Sequence, residues 1–385
     1  MSIDYYRGLL AQRERVEAFR RAIHATVRPG DRVLDLGTGL GTYAFFAAAA
    51  GAGHVFAVDH DPVVHVARAV AEANGLSDRV TCVRGSIPHV APPAPVDVLV
   101  FEDFPTRLLD ARVFLLYGDL QAGLLAPGAR TIPRRARLFV APVSSERLRA
   151  LVQPFGESDR AFGLDWRPSA AYVANQPLHV PVEPRDVPLP ARAVREIDFG
   201  APLAADALQG TAAWTVERDV VLDGLVLWFD LELTPDEWLS NAPGAHPCSW
   251  GHLFLPIASR LQAPAGAVVE AAVEAPADST GTPGWLGWSL SSGGVTARGN
   301  EFASVPASLT DMLAASPDGV PRLSRRGAIA VTVLTLADGR RSLREIAQAL
   351  RTAYPELTGP EAVHVACSTL EGRAAGSGPN GKKDL

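Results

Sequence analysis

Apolar positions recur along this chain in two rhythms, and the change between them divides it. Up to about Pro29, Leu9, Leu10, Val16, Phe19 and Ile23 return at spacings near three and four, which predicts helix. From Asp31 to about Val143, compact apolar runs alternate with helical stretches. Strands are expected at Arg32–Leu36, His54–Asp59, Val80–Arg84 and Val96–Phe101, and helices at Tyr43–Ala50, Pro62–Asn74 and Val113–Leu125. Pro62 suits a first helical turn, where a missing N–H costs nothing. This alternation predicts a doubly wound parallel sheet. From about Pro142 to Gly294 the runs become short and alternating, as in Val221–Leu233 and Ala267–Val273, and prolines crowd Pro177–Pro190. That texture predicts an antiparallel β-barrel or β-sandwich.

A last ordered piece runs from about Pro321 to Gly372. It holds an apolar run, Ala328–Leu336, a turn at Asp338-Gly339, and two helix patterns. Ser342 with Glu345 three residues on makes a capping box for the helix that reaches Tyr354. Pro360–Leu370 is the second helix. The expected divisions are 1–30, an N-terminal helix; 31–143, the parallel sheet; 144–317, the β-rich domain; 318–373, a small module; and 374–385, a polar tail.

Composition narrows the function classes. A chain of 385 residues has room for two or three domains of about 100–200 residues. With 47% hydrophobic and 20% charged residues it can fill a core, and a net charge of −6 disfavours a nucleic-acid binder driven by overall charge. The three cysteines, Cys82, Cys248 and Cys367, form no C-x-x-C pair, and no metal site is expected. The start MSIDYYRGLL lacks a signal-peptide pattern, and the uncharged stretch Leu36–Val58 is cut by glycines. A soluble cytoplasmic protein is the expectation.

The strongest local signal is Val33-Leu34-Asp35-Leu36-Gly37-Thr38-Gly39-Leu40-Gly41-Thr42, a buried strand running through alternate glycines into a helix. Gly37, Gly39 and Gly41 let the backbone turn sharply and approach a ligand closely. The spacing is G-x-G-x-G, not the G-x-G-x-x-G of dinucleotide folds, whose third glycine would fall at Thr42. Asp35 precedes the loop. Asp59 closes the second strand, where a carboxylate can accept both hydroxyls of a ribose. Ser86 and Ile87 follow the third strand, where an adenine edge would lie. The combination resembles a class I S-adenosylmethionine-dependent methyltransferase with a Rossmann-like domain. Asp35, Gly37, Gly39, Gly41, Asp59, Ser86 and Ile87 are its expected cofactor residues.

Further stretches are similar to the protein arginine methyltransferase family. They are Tyr5-Tyr6 before a helix carrying Arg13, Arg15 and Arg20; the strand Val96–Phe101 ending in Glu102; Gly123–Pro133 leading into Ala136–Val140; and Ser249-Trp250-Gly251-His252 late in the β-rich region. The resemblance covers roughly residues 5–300. It implies an N-terminal helix over the cofactor, with Arg15 on the cofactor's carboxylate, and a possible homodimer. Asp59 stands where the family has a ribose glutamate. Pro88 stands at the adenine-side glutamate, and Cys248-Ser249-Trp250 at a Thr-His-Trp segment. Of the two glutamates that enclose a guanidinium, Glu102 matches the first. Ala111 stands at the second, with Asp110 and then Asp103 the nearest carboxylates. Fold and cofactor therefore carry over better than arginine as substrate. Glu102, Asp110 and His252 are the candidate catalytic residues; His252 and His246 are weighed as base or substrate orienter, against the plainer role of a satisfied histidine.

Residues 321–373 resemble the PqqD-like precursor-peptide recognition fold, through Leu334–Ala347, Leu350 and Tyr354. The match is shared with winged-helix domains, and it implies a small α+β module able to add a leader peptide to a sheet edge. DNA binding is disfavoured, because Pro360–Leu370 offers only His364 to a groove. The whole reads as a methyltransferase acting on a peptide or protein side chain, with ribosomal-peptide tailoring as its setting. The alternatives are a small-molecule N- or O-methyltransferase and a non-catalytic cofactor-binding recruitment protein.

Overall fold

Five parallel strands, β1 (Arg32–Leu36), β2 (His54–Asp59), β3 (Val80–Arg84), β4 (Val96–Phe101) and β5 (Leu125–Ile132), form a sheet in the order β3-β2-β1-β4-β5. The molecule is a computed structural model that describes residues 2–152, 161–204, 206, 208–246, 248–277, 284–307, 320 and 322–370. The strands read as nearly continuous apolar runs because helices cover the sheet, so Val33, Leu34, Val98, Leu99 and Val100 are fully buried. Helices α3 (Thr42–Ala49), α4 (Val64–Ala73) and α5 (Ala111–Asp119) supply the crossovers. Chain order reverses between β1 and β4, which opens a crevice at their carboxyl ends, the usual ligand position in such sheets.

Two features of this half depart from the pattern of the sequence. β5 contains Pro127 and Gly128, which hide it from any reading by apolar periodicity. β6 (Arg135–Val143) leaves the parallel sheet altogether. It pairs antiparallel with β10 (Val220–Thr234) and with β8 (Arg192–Asp198), so the parallel sheet ends at Ile132 and the boundary expected at residue 143 falls one strand late.

At the N-terminus, α1 (Ile3–Ala11) and α2 (Arg13–Thr26) are separate helices broken at Gln12. Ala18, Phe19, Ala22 and Ile23 form the buried stripe of α2, and the Phe19 ring stacks on Tyr43 of α3 at 4.8 Å.

The β-rich half holds two antiparallel sheets. One runs β7 (Leu178–His179), β12 (Leu253–Ala263), β10, β6, β8, with β11 (Glu237–Ser240) on β10. The other runs β15 (Val295–Asn300), β14 (Gly287–Ser292), β13 (Val268–Glu274), β9 (Gly210–Thr215). β10 is a single strand of 15 residues buried on both faces, which is why its sequence does not alternate. Both halves share one continuous apolar core and belong to one compact unit, Met1–Pro306.

The second unit spans Ala307–Leu385. Its described part is three helices, Arg325–Leu336, Leu343–Ala353 and Gly359–Leu370, around Ile329, Val333, Ile346, Ala347, Leu350, Ala362 and Ala366. Ser342 and Glu345 form the expected capping box, and Thr358 with Glu361 makes a similar reciprocal pair. The run Ala328–Leu336 is helix, capped by Ser324. Among the described residues this unit shows three helices and no strand, so the β part of the expected α+β module is not seen among them. The expected tail, 374–385, lies outside the described residues.

Candidate active site

The glycine loop is held from behind by two buried carboxylates. Asp35 Oδ2 accepts from Thr38 Oγ1 at 2.5 Å and from the Ala44 N–H at 2.9 Å, fastening the loop to the first turn of α3. Burial pushes its pKa up to about 7, against the lowering effect of those donors. Asp59 Oδ2 accepts from the Gly39 N–H at 2.8 Å, and its Oδ1 from the Asp61 N–H at 2.8 Å. The loop N–H groups of Gly37 and Thr38 both donate to Val58 O, at 2.9 and 3.1 Å.

Glycine is required here for stated reasons. Gly37, Gly39 and Gly41 have φ of 77°, 53° and 86°. A Cβ on Gly39 would stand 2.9 Å from the Tyr6 ring, and one on Gly41 would stand 2.5 Å from the Phe45 ring. Tyr6 therefore lays α1 directly over the loop, as the expected N-terminal cover does.

In front of the loop lies a small cleft of about 60 Å³, lined by Tyr6, Arg15, Gly37, Gly39, Tyr43 and Glu102 among others. Glu102 follows the carboxyl end of β4 and ion-pairs through Oε1 with Arg15 Nη1. Arg15 Nη2 donates to Leu9 O at 2.9 Å, tying α2 to α1 across the Gln12 break. The Arg15 Nε is buried without a partner in the structure. Burial raises the Glu102 pKa, opposed by Arg15. For Arg15, burial works against the charge, but Glu102 and Tyr43 outweigh it and its pKa rises. The Tyr43 phenol is raised by burial and by Glu102.

The loop after Glu102 is committed to structure. Asp103 Oδ2 pairs with Arg112 Nη1 at 2.8 Å, and Arg112 Nη2 also reaches Asp103 O at 2.8 Å. Leu108 is fully buried with φ of 68°, a strained value for a branched side chain. Arg107 Nη1 meets Glu301 Oε2 at 2.8 Å, bridging this loop to the β-rich half.

Of the expected catalytic residues, only Glu102 lines the cleft. Asp110 is the N-cap of α5, its Oδ1 accepting from the Val113 N–H at 2.8 Å, a role short acids fill well. His252 uses Nδ1 to accept from the Val182 N–H at 2.9 Å, and burial lowers its pKa; it ties the segment before β12 to the one after β7. His246 pairs with Glu14 at 2.6 Å on the surface. Of the expected cofactor residues, Arg15, Gly37 and Gly39 line the cleft, while Asp35 stands behind it. Ser86 and Ile87 follow β3, beside the end of β2 that carries Asp59, outside the cleft lining.

Several neighbours escape sequence reasoning. Tyr43 lines the cleft, beside Tyr6 and Thr38 of the stretches already singled out. Cys248 lies close enough to Arg15 and Glu102 to feel both charges, its pKa raised by burial and lowered by the N–H groups of Trp250 and Gly251. Ser249 N–H donates to Gln12 Oε1 at 3.0 Å, fastening the β-rich half to the helix break. No local motif announces these contacts, because each joins segments distant in the chain.

The donor set fits a nucleoside that carries an amino-acid tail. The loop backbone can approach closely, Asp59 closes β2 beside the loop with its oxygens on the Gly39 and Asp61 N–H groups, and Arg15 has a spare buried donor for a carboxylate.

Residues 20–102 match the family described as "Ribosomal protein L11 methyltransferase (PrmA)". The chain is 29% identical over 297 residues to "Probable histone-arginine methyltransferase CARM1" of rice, covering 69% of this chain and 54% of that protein. It is 28% identical over 264 residues to "Arginine N(omega)-methyltransferase" of Streptomyces achromogenes, covering 67% of this chain and 72% of that one. The chain thus spans about half the length of the plant relatives it matches. Among solved structures, the Trypanosoma brucei PRMT1 enzyme-prozyme complex with AdoHcy superposes with a TM-score of 0.69 at 21% identity, over 77% of this chain and 97% of that one. The Arabidopsis thaliana protein arginine methyltransferase 10 gives 0.64 at 20%, over 78% and 98%. The fold, a Rossmann-like parallel sheet followed by an antiparallel β domain, is therefore the one those enzymes share.

Proposed function

We propose that this chain is an S-adenosylmethionine-dependent methyltransferase acting on a peptide or protein side chain. The observation that carries the reading is the cleft itself: a positive-φ glycine loop braced by Asp59, faced by the buried Arg15 and its half-buried partner Glu102 at the carboxyl ends of β1 and β4. The relatives support it, since both curated ones described above are named as methyltransferases of arginine.

The cofactor supplies a methyl group already activated on a sulfonium. Every other task falls to the chain. Gly37 and Gly39 let the loop backbone come close, Asp59 accepts from sugar hydroxyls, and Arg15 turns its spare donors to the carboxylate. Ser86 and Ile87 border the base. Tyr6 and α1 close over the loop and exclude water. Glu102, its pKa raised by burial, orients the acceptor and takes its proton.

The helical unit after Pro306 is assigned to holding the substrate, which raises its local concentration at the cleft. Between residues 320 and 370 it carries seven arginines and four acids, and it exposes Val331, Leu334, Leu343 and Val363, a combination suited to an acidic, apolar-studded leader segment. A homodimer is the matching assembly.

Intact-mass measurement on the candidate peptides of neighbouring genes tests the reading. It expects a cofactor-dependent gain of methyl mass on a peptide. Removing residues 307–385 is expected to abolish that gain while leaving cofactor binding intact; binding with no transfer to any peptide contradicts the assignment.

A further inference from the structure

The inference rests on the reading of the cleft as a methyl-transfer site, and the charge of its lining then limits what the acceptor can be. Among the residues that line it, Glu102 is the one carboxylate and Arg15 the one cation, and they are paired with each other. The lining is formally neutral before any ligand enters. The other acids near it have their oxygens engaged outside the lining: Asp59 accepts from the Gly39 and Asp61 N–H groups, Asp103 pairs with Arg112, and Asp110 accepts from the Val113 N–H. Ala111, the next residue, has no acceptor in its side chain. The rest of the wall is hydroxyl or apolar: Tyr6, Thr38, Thr42 and Tyr43, with leucines and Val16.

A guanidinium stays charged at every working pH. In this cleft it would give up hydration without meeting an unpaired carboxylate in the lining, or it would displace Arg15 and leave that buried cation unpaired. A sulfonium nearby adds a further positive charge. An uncharged donor avoids both penalties, since Arg15 takes Glu102 Oε1 and an N–H or O–H can reach the other oxygen.

We infer that the acceptor is an uncharged side-chain amide or alcohol and not a guanidinium. As its lone pair takes the methyl group, the electron pair of the broken carbon–sulfur bond stays on sulfur. The acceptor's N–H or O–H proton passes to Glu102, so the acceptor enters and leaves uncharged.

The test is an NMR titration of the full chain, saturated with S-adenosylhomocysteine, against two capped tripeptides. One carries arginine at its centre; the other carries citrulline, the same shape without the charge. Wild type is expected to bind the citrulline peptide at least about tenfold more tightly. Arg15→Gln uncovers Glu102 and should shift the ratio towards arginine by about tenfold or more, while Glu102→Gln should weaken arginine binding further. Arginine binding as tight as citrulline in wild type, or failure of the citrulline peptide to bind, overturns the inference. Calorimetry with S-adenosylhomocysteine reads the cofactor assignment separately, so heat there with an arginine preference removes the acceptor class alone. Asparagine and serine tripeptides in the same titration tell amide from alcohol.

Discussion

The two sides of the cleft are built by different means. On the glycine-loop side the wall is largely backbone, and the supporting carboxylates Asp35 and Asp59 bond to N–H groups and a hydroxyl within the same sheet end. On the Glu102 side the wall is made by side chains from distant segments, Arg15 of α2 and Glu102 after β4, with Cys248 of the β-rich half near enough to feel both charges. The first side is fixed by local geometry and tolerates little change. The second is a set of pairings that a single substitution can redirect, and the proposed choice of acceptor rests there.

The largest expected effect is on the second side. Glu102→Gln should lower transfer by about 10²–10⁴-fold, the usual worth of a positioned proton acceptor, while cofactor affinity changes only a few-fold. Equal losses in both would merge the two sides into one.

Asp35 gives a pH signature on the first side. Its folded pKa, about 7, lies above the unfolded value of about 3.9, so the folded chain holds the extra proton between them. Its contribution is fully favourable below about pH 4 and is lost as pH rises to about 7, by about 4 kcal/mol at most. Urea unfolding across that range should show this decline, and Asp35→Asn should flatten it; an unchanged slope in the variant contradicts it.

Gly39→Ala sets a methyl at φ of 53° and 2.9 Å from the Tyr6 ring. It should cost about 1–3 kcal/mol in stability and displace α1, weakening cofactor binding about tenfold or more. Normal binding in a folded variant would show that Tyr6 does not depend on this glycine.

The smallest effect separates a cap from a catalyst. Asp110→Ala should cost about 1 kcal/mol of stability, measured by thermal unfolding, and leave turnover nearly unchanged. A loss of turnover approaching that of Glu102→Gln would return Asp110 to the catalytic set.

Much of the first side was legible in the sequence for the same reason that it is rigid. β1 to β4 announce themselves as apolar runs, and alternate glycines at a strand–helix junction mark a backbone that turns sharply with no room for side chains. Two expected site residues make contacts outside the cleft. Asp110 caps α5 through the Val113 N–H, a local role open to any short acid before a helix, whereas the bond of His252 to the Val182 N–H joins segments far apart in the chain. The Arg15–Glu102 pair has no local sign, since its partners lie on α2 and at the end of β4. β5 was hidden by Pro127 and Gly128, and β10 lost its alternation by being buried on both faces. The second unit offered a capping box, correctly read, but an apolar run alone did not tell helix from strand at Ala328–Leu336.

The most direct measurement is calorimetric titration of the folded chain with S-adenosylhomocysteine, alongside Asp59→Ala. Saturable one-site binding that weakens about tenfold or more in the variant is the predicted result. A flat thermogram with wild type, on protein shown to be folded, would contradict the central claim that this loop cradles the nucleoside.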